Sequence, residues 1–240
     1  MLTEPHFSKR PLYLQVRDLL VQRIVAGDWK PGAAIPNELE LAQSLGVSPG
    51  TMRKALDTLE AEHLLSRQQG RGTFVLDHSS DELAVRFSNI RGADGHRITG
   101  TPVSVALSFG EATELEQRRL WLKTGAPVIR MQRMRTQGEV PFMDEQVSLP
   151  RALFPDIRDV SSVPLRIAVL AQQHGIILSR AEERLNVAAA TKDVAQRLAL
   201  PDGAPLLQLD RIVYDIDGRP VEWRSAHCHL GEKYYLSIME

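Results

Sequence analysis

The stretch NELELAQSLGVSPGTMRKALDTLEAEHLLSRQQGRGTFV, residues 37–75, decides how the first part of this chain folds. Asn37 followed three residues on by Glu40 is a capping box, so a short helix opens there through Leu39, Leu41 and Ala42 and ends near Leu45-Gly46. Ser48 is a second N-cap, and Pro49 takes the first helical position, where its missing N–H costs nothing. The helix that follows runs to about His63. Its core stripe is Met52, Ala55, Leu56 and Leu59, which turns Gly50, Thr51, Arg53, Lys54 and Asp57 outward. The period then changes from 3.6 to 2. Leu64–Gln68 and Thr73–Leu76 read as two strands, joined by Gln69-Gly70-Arg71-Gly72 in a tight hairpin. Upstream, Leu12, Val16, Leu19, Leu20, Arg23 and Ile24 follow helical spacing, with Gly27 as C-cap, so a further helix covers 11 to about 26.

Residues 1–76 therefore read as three helices closed by a two-stranded wing. Polar, turn-forming residues from Asp77 to Glu82 interrupt the pattern, and a linker is expected at 77–83, with a second domain at 84–240. There the pattern is mixed. Strands are expected near 103–110, 127–136, 141–148, 176–187, 205–214 and 219–230, the last two joined by the hairpin signal Asp217-Gly218. Helices are expected at about 112–123, 164–174 and 190–199, so the fold class is α+β with an antiparallel sheet.

Composition narrows the function classes. With 43% apolar and 25% charged residues the chain is an ordinary globular one, and no apolar run reaches the roughly 20 residues of a membrane helix. No membrane partner is expected. The start MLTEPHFSKR lacks the apolar core of a signal peptide, and the single Cys228 suits a reducing compartment, so a cytoplasmic location is expected. The balance of 29 basic and 30 acidic residues gives no global hint of a nucleic-acid partner, and residues 1–76 are nearly neutral, with nine basic against eight acidic. The argument must be local.

A helix, a short turn, a second helix with a polar start and a glycine-tipped wing form an outline that enters a DNA major groove, although the same outline also serves protein docking. Ser48 and the free N–H groups at the start of the second helix could hold a phosphate, Arg53 and Lys54 could reach base edges or phosphates, and Gly70, Arg71 and Gly72 would let the wing approach the duplex. In the second domain Arg133 and Arg135, two apart on one strand, share a face. Their repulsion calls for an acidic answer, either an anionic ligand or a ladder with Glu139, Asp144 or Glu145. His227-Cys228-His229 offers two imidazoles, but a metal site wants three or four ligands, so a packed strand or pocket rim is the better reading and no metal or other cofactor is expected. No histidine, serine or lysine stands in a catalytic relation to the arginine pair, so no enzyme is expected.

The run Pro11-Leu12-Tyr13, Gln15, Gly27, Pro31-Gly32, Ile35-Pro36-Asn37-Glu38, Leu41-Ala42, Val47-Ser48, Thr51-Met52-Arg53, Ala55-Leu56, Leu59 and Gly70–Val75 resembles the GntR family of bacterial transcription regulators. Arg133-Met134-Arg135, Gly138, Pro141, Glu145, Leu149-Pro150, Phe154-Pro155, Glu182, Gly203–Leu207, Arg211, Tyr214-Asp215, Gly218–Glu222 and Tyr234 are similar to the UTRA effector domain, over about 84–238, which points to the HutC-like branch. The resemblance implies a winged helix-turn-helix joined to a chorismate-lyase-like domain that supplies both ligand pocket and dimer interface. It also implies a homodimer on a near-palindromic double-stranded operator that responds to a small metabolite; a repressor released by a small anionic metabolite is expected, with an activator or a corepressor-dependent regulator as the alternative. DNA contacts then fall to Glu38, Ser48, Gly50, Thr51, Arg53, Lys54, Arg67, Gly70, Arg71, Gly72 and Thr73, with Glu38 either touching DNA or ordering the helix-turn-helix. The effector would meet Arg133, Arg135, Glu145, Glu222 and Tyr234, the arginines holding an anionic group and the glutamates accepting from its hydroxyl or amine groups. Two arginines usual in the family are replaced by Leu39 and Pro49, and Pro164-Leu165-Arg166-Ile167 departs from its serine and aromatic pattern, so operator and ligand are expected to differ from those of relatives.

Overall fold

The computed structural model describes residues 10–76, 87–159, 163–164 and 166–238, the side chains of 104 and 105 excepted. The chain divides into two compact units, Met1–Asp77 and His78–Glu240. The linker expected at 77–83 lies outside the described residues.

In the first unit, α1 (Leu12–Ala26) ends on Gly27 in the left-handed region, φ 81°. It does not bury the stripe that its periodicity suggests. Val16, Arg17, Leu20 and Val21 turn inward, while Leu12 and Leu19 are about half exposed. The reason is an ion pair that periodicity cannot show: the Arg17 Nε donates to Glu62 at 2.9 and 3.1 Å, and its Nη1 donates to Asp18 at 2.7 Å, which rotates the helix toward the arginine. Helices α2 (Glu38–Leu45) and α3 (Pro49–Ala61) start as expected. Asn37 and Glu40 exchange both bonds of a capping box, at 2.9 and 3.1 Å. Met52, Ala55, Leu56 and Leu59 are buried, each large side chain contributing about 1.5–3 kcal/mol. Helix α3 stops at Ala61 rather than His63, because His63 takes φ 57° and Leu64 N–H returns to the Leu59 carbonyl at 2.8 Å.

Strands β1 (Leu65–Gln68) and β2 (Gly72–Val75) form the wing, Leu65 facing Val75 and Gln68 facing Gly72. Gly70 and Gly72 have φ 72° and 117°, values that L side chains rarely adopt, so the tip depends on both glycines. A third line of chain joins the wing: Ile35 N–H bonds the Thr73 carbonyl at 2.9 Å, and Val75 N–H bonds Ala33 at 3.0 Å.

The second unit is built on an antiparallel six-stranded sheet of β4 (Thr101–Glu111), β5 (Pro127–Gln137), β6 (Val140–Pro150), β7 (Leu178–Ala189), β8 (Pro205–Asp215) and β9 (Pro220–Cys228). Its spatial order is β4-β5-β6-β9-β8-β7. Two short strands absent from the sequence reading, β3 (Ile90–Arg91) and β10 (Tyr234–Tyr235), pair with each other, Tyr235 facing Ile90. On one sheet face the core of Ile129, Met131, Val147, Leu149 and Val213 packs against Leu170 and Ala171 of α5 (Ile167–Gln173), and Ile90 of β3 packs with Met143, Leu209 and Ala226. Helices α4 (Glu114–Leu120) and α6 (Lys192–Leu198) are tied to polar residues of the opposite face. Glu116 accepts from Arg130 at 2.6 and 2.7 Å and from Ser148 at 2.8 Å, while Arg197 donates to Asp144 at 2.9 and 3.1 Å.

Candidate functional site

The outward face of α3 and the wing carry the residues expected to meet DNA. Gly50, Arg53, Lys54, Gly70, Arg71 and Gly72 are exposed, and Thr51 and Thr73 are half-buried. Ser48 is less available than its position suggests. Its Oγ accepts from Thr51 N–H at 3.2 Å and lies 2.9 Å from Thr51 Oγ1, so it serves as the helix cap. Arg67 on β1 is drawn to Asp57 and Glu60 of α3, bracing the wing against the helix. Arg53 is held by Glu38, its Nε 3.1 and 3.2 Å from the two carboxylate oxygens and its Nη2 2.9 Å from one of them, and this partner raises the arginine's pKa. Lys54 and Arg71 have no carboxylate partner among the described residues, so their full charge faces outward.

In the second unit the register gathers charge on one sheet face. Arg133 stands opposite Glu145, Arg211 opposite Arg224, and Glu183 opposite Arg211. Arg133 and Arg135 share this face, as period 2 requires, and so do Glu222 and Arg224. Above them lies a cavity of about 50 Å³, walled by Phe87–Ile90, Thr99, Arg166 and Ile167, with Arg133, Arg135, Arg211 and Arg224 along the sheet and Glu183, Glu222 and Tyr235 beside them. A single water needs about 10–15 Å³, so the space suits a group the size of a carboxylate or phosphate.

Glu145 underlies this cluster rather than lining the cavity. It is fully buried, with Arg133 Nε at 3.1 Å, Arg135 Nε at 3.0 Å and Arg224 Nη1 at 3.0 Å. Burial opposes its charge, yet Arg135, Arg133 and Arg224 hold its carboxyl well below the usual carboxylate range. Glu145, expected to accept from an effector, is absent from the cavity lining, and three guanidinium groups lie within 3.1 Å of its oxygens. Of the ladder partners expected from spacing, Glu145 is the one both arginines meet, in a buried rather than solvated setting; Glu139 is exposed and Asp144 lies on the opposite face against Arg197.

Among the described residues, four arginines stand against three carboxylates around the cavity. The cost of gathering them is visible at Arg135, where burial and the neighbouring charges of Arg224, Arg133 and Arg211 outweigh Glu145 and lower the pKa to about 10. Burial and the charge of Arg224 likewise lower Arg211. An anion entering the cavity would relieve this repulsion.

Tyr234, the expected effector contact, is placed elsewhere: it is 41% exposed and absent from the cavity lining, where its neighbour Tyr235 stands instead. Tyr235 Oη donates to Glu183 at 2.8 Å and accepts from Asn89 Nδ2 at 2.8 Å. Arg211, Arg224, Glu183 and Tyr235 escaped the sequence reading as site residues. The alternation Glu222-Trp223-Arg224 was a usable signal, but the register that sets Arg211 beside Arg224 was not in the sequence pattern. Cys228 in the His227–His229 run is fully buried, and burial pushes its thiol up to about 12, the behaviour of a packed strand residue.

A winged helix with outward cations, on a chain whose other unit encloses an arginine-lined cavity, has the build of a ligand-responsive DNA-binding regulator. Comparison with known proteins agrees. The model of bacterial regulatory proteins of the GntR family matches residues 12–75, and the UTRA domain matches residues 100–234. The chain is 27% identical over 230 residues to the HTH-type transcriptional repressor NagR of Bacillus subtilis, covering 95% of this chain and 93% of that protein. It is also 27% identical over 216 residues to the mannosyl-D-glycerate transport/metabolism system repressor MngR of Escherichia coli, covering 89% and 90%. Among solved structures, PhnF from Mycobacterium smegmatis superposes with a TM-score of 0.56 at 24% identity, over 94% of this chain and 99% of that one, a likeness of fold. The chain belongs to the UTRA-domain regulators of the bacterial GntR family: it is a DNA-binding transcription regulator with a UTRA effector domain. No helix among the described residues is long and apolar enough to cross a membrane.

Proposed function

We propose that this chain is a repressor that grips a near-palindromic operator as a homodimer and lets go when a small anionic metabolite enters the second unit. The four arginines gathered against three carboxylates among the described residues around the cavity carry the anionic part of this reading. Arg133, Arg135, Arg211 and Arg224 would bind the anionic group, while Glu183 and Glu222 would accept from hydroxyl or amine groups beside it. The dimer is supported by strand β7, whose outer edge has no partner among the described strands and which carries Leu185 and Val187 exposed. Release is supported by the cavity wall at Phe87–Ile90, the first described stretch after the boundary between the units.

The test is a thermal-shift screen of small phosphates, sulfates and carboxylates, comparing the wild type with Arg133→Ala. Each hit is then titrated against protein bound to duplexes selected from a random pool, with the mass of the complex read by sedimentation. The expected result is a stabilising anion whose effect vanishes in the variant and which frees two chains per duplex. Loss of the reading would follow if no anion stabilises the wild type, or if the stabilisation survives in Arg133→Ala.

A further inference from the structure

We infer that Glu38 determines which bases the winged helix prefers, by fixing the guanidinium of Arg53 rather than by touching DNA. The inference rests on the family's DNA binding and is independent of the effector. Helix α3, PGTMRKALDTLEA, carries one arginine, and α2, ELELAQSL, carries none. Leu39 and Pro49 put no cation at the first turn of either helix, so base reading by guanidinium along this helix pair falls to Arg53.

An exposed arginine on a helix is ordinarily free to turn about four side-chain bonds, and a free guanidinium selects bases poorly because binding must first order it. Arg53 is not free. Its Nε donates to both carboxylate oxygens of Glu38, the first residue of α2, at 3.1 and 3.2 Å, and its Nη2 lies 2.9 Å from one of them. The Nη hydrogens that point away from Glu38 are left to donate outward, a set able to meet O6 and N7 of guanine together. The pair is nearly neutral as a unit, so it adds little to general attraction for phosphates. That attraction is left to Lys54 and Arg71, which have no carboxylate partner among the described residues. The acidic group at the centre of a DNA-facing surface is thereby explained: it trades attraction for direction. Glu38 is a positioning residue, and Arg53 is the reader.

Its position has a competing structural role, since a carboxylate in the first turn of α2 also favours the helix dipole, as Glu40 does. The experiment separates the two. Full-length wild type, Glu38→Gln, Glu38→Asp and Arg53→Ala are each incubated with a pool of duplexes whose random core is about two helical turns long, and the bound fraction is sequenced. Glu38→Asp keeps the helix-terminal charge but retracts the carboxylate by one methylene, and it stands in if Glu38→Gln fails to fold. The wild type is expected to enrich guanine at one symmetric pair of positions, and Arg53→Ala to lose it. Both Glu38 variants are expected to lower that enrichment about tenfold, while other enriched positions and binding to the unselected pool change less than about twofold. Unchanged preference in the Glu38 variants would overturn the inference, as would guanine enrichment surviving in Arg53→Ala or no enrichment by the wild type. A uniform rise in affinity for all duplexes would also overturn it, because the carboxylate would then be only masking a charge.

Discussion

Replacing Glu145 by Gln removes one negative charge from beneath three guanidinium groups without changing side-chain volume, and its consequence can be worked from the contacts. The carboxylate is fully buried, with Arg133, Arg135 and Arg224 at 3.0–3.1 Å. Removing one partner of a buried ion pair costs about 3–5 kcal/mol, because the charge left behind cannot be rehydrated. With an m value of about 2 kcal/mol per molar, typical of a domain this size in urea, the unfolding midpoint of the second unit is expected to fall by about 2 M. The chain has three tryptophans, Trp29, Trp121 and Trp223, so in a Trp29→Phe background the emission reports the second unit alone. Sulfate or phosphate should recover more stability in the variant than in the wild type, since the variant's cavity gains one more unit of positive charge; general salting-out affects both alike. A midpoint within about 0.25 M of wild type, or equal recovery by sulfate in both, would refute the reasoning that these arginines are a strained, anion-seeking cluster.

Acid should act through Glu116. Burial opposes its charge, but Arg130, the Thr113 N–H and Ser148 lower its pKa from 4.5 to about 2, so its stabilisation is fully present above the ordinary value and is lost as pH falls from about 5 to 2. That loss amounts to at most about 3 kcal/mol, and Glu116→Gln should flatten the pH dependence of urea midpoints over this window. Tyr235→Phe removes the hydroxyl between Asn89 and Glu183, at a cost of about 1–2 kcal/mol. The variant should still bind DNA and anion, yet the ratio of DNA affinities with and without the anion should shrink; an unchanged ratio would exclude this hydroxyl from the coupling.

The N-terminal unit was largely legible from its residues because its signals are local. The Asn37–Glu40 capping box, the Ser48-Pro49 start, the Met52–Leu59 stripe and the paired glycines of the wing each act within a few residues, so backbone geometry turns them directly into structure. Where a distant partner intervened, periodicity misled: Glu62 draws Arg17 inward and leaves Leu12 and Leu19 outside. The same division holds at the cavity. Alternation along one strand sufficed to put Arg133 and Arg135 on a common face, since side chains of a strand repeat every second residue. Only the tertiary structure decided that Arg211 and Arg224 join them, that Glu145 lies beneath the arginines and is already committed, and that Tyr235 rather than Tyr234 meets the cavity. Those outcomes depend on the register between strands far apart in the chain, and on the charge that burial then concentrates, neither of which is written in local spacing.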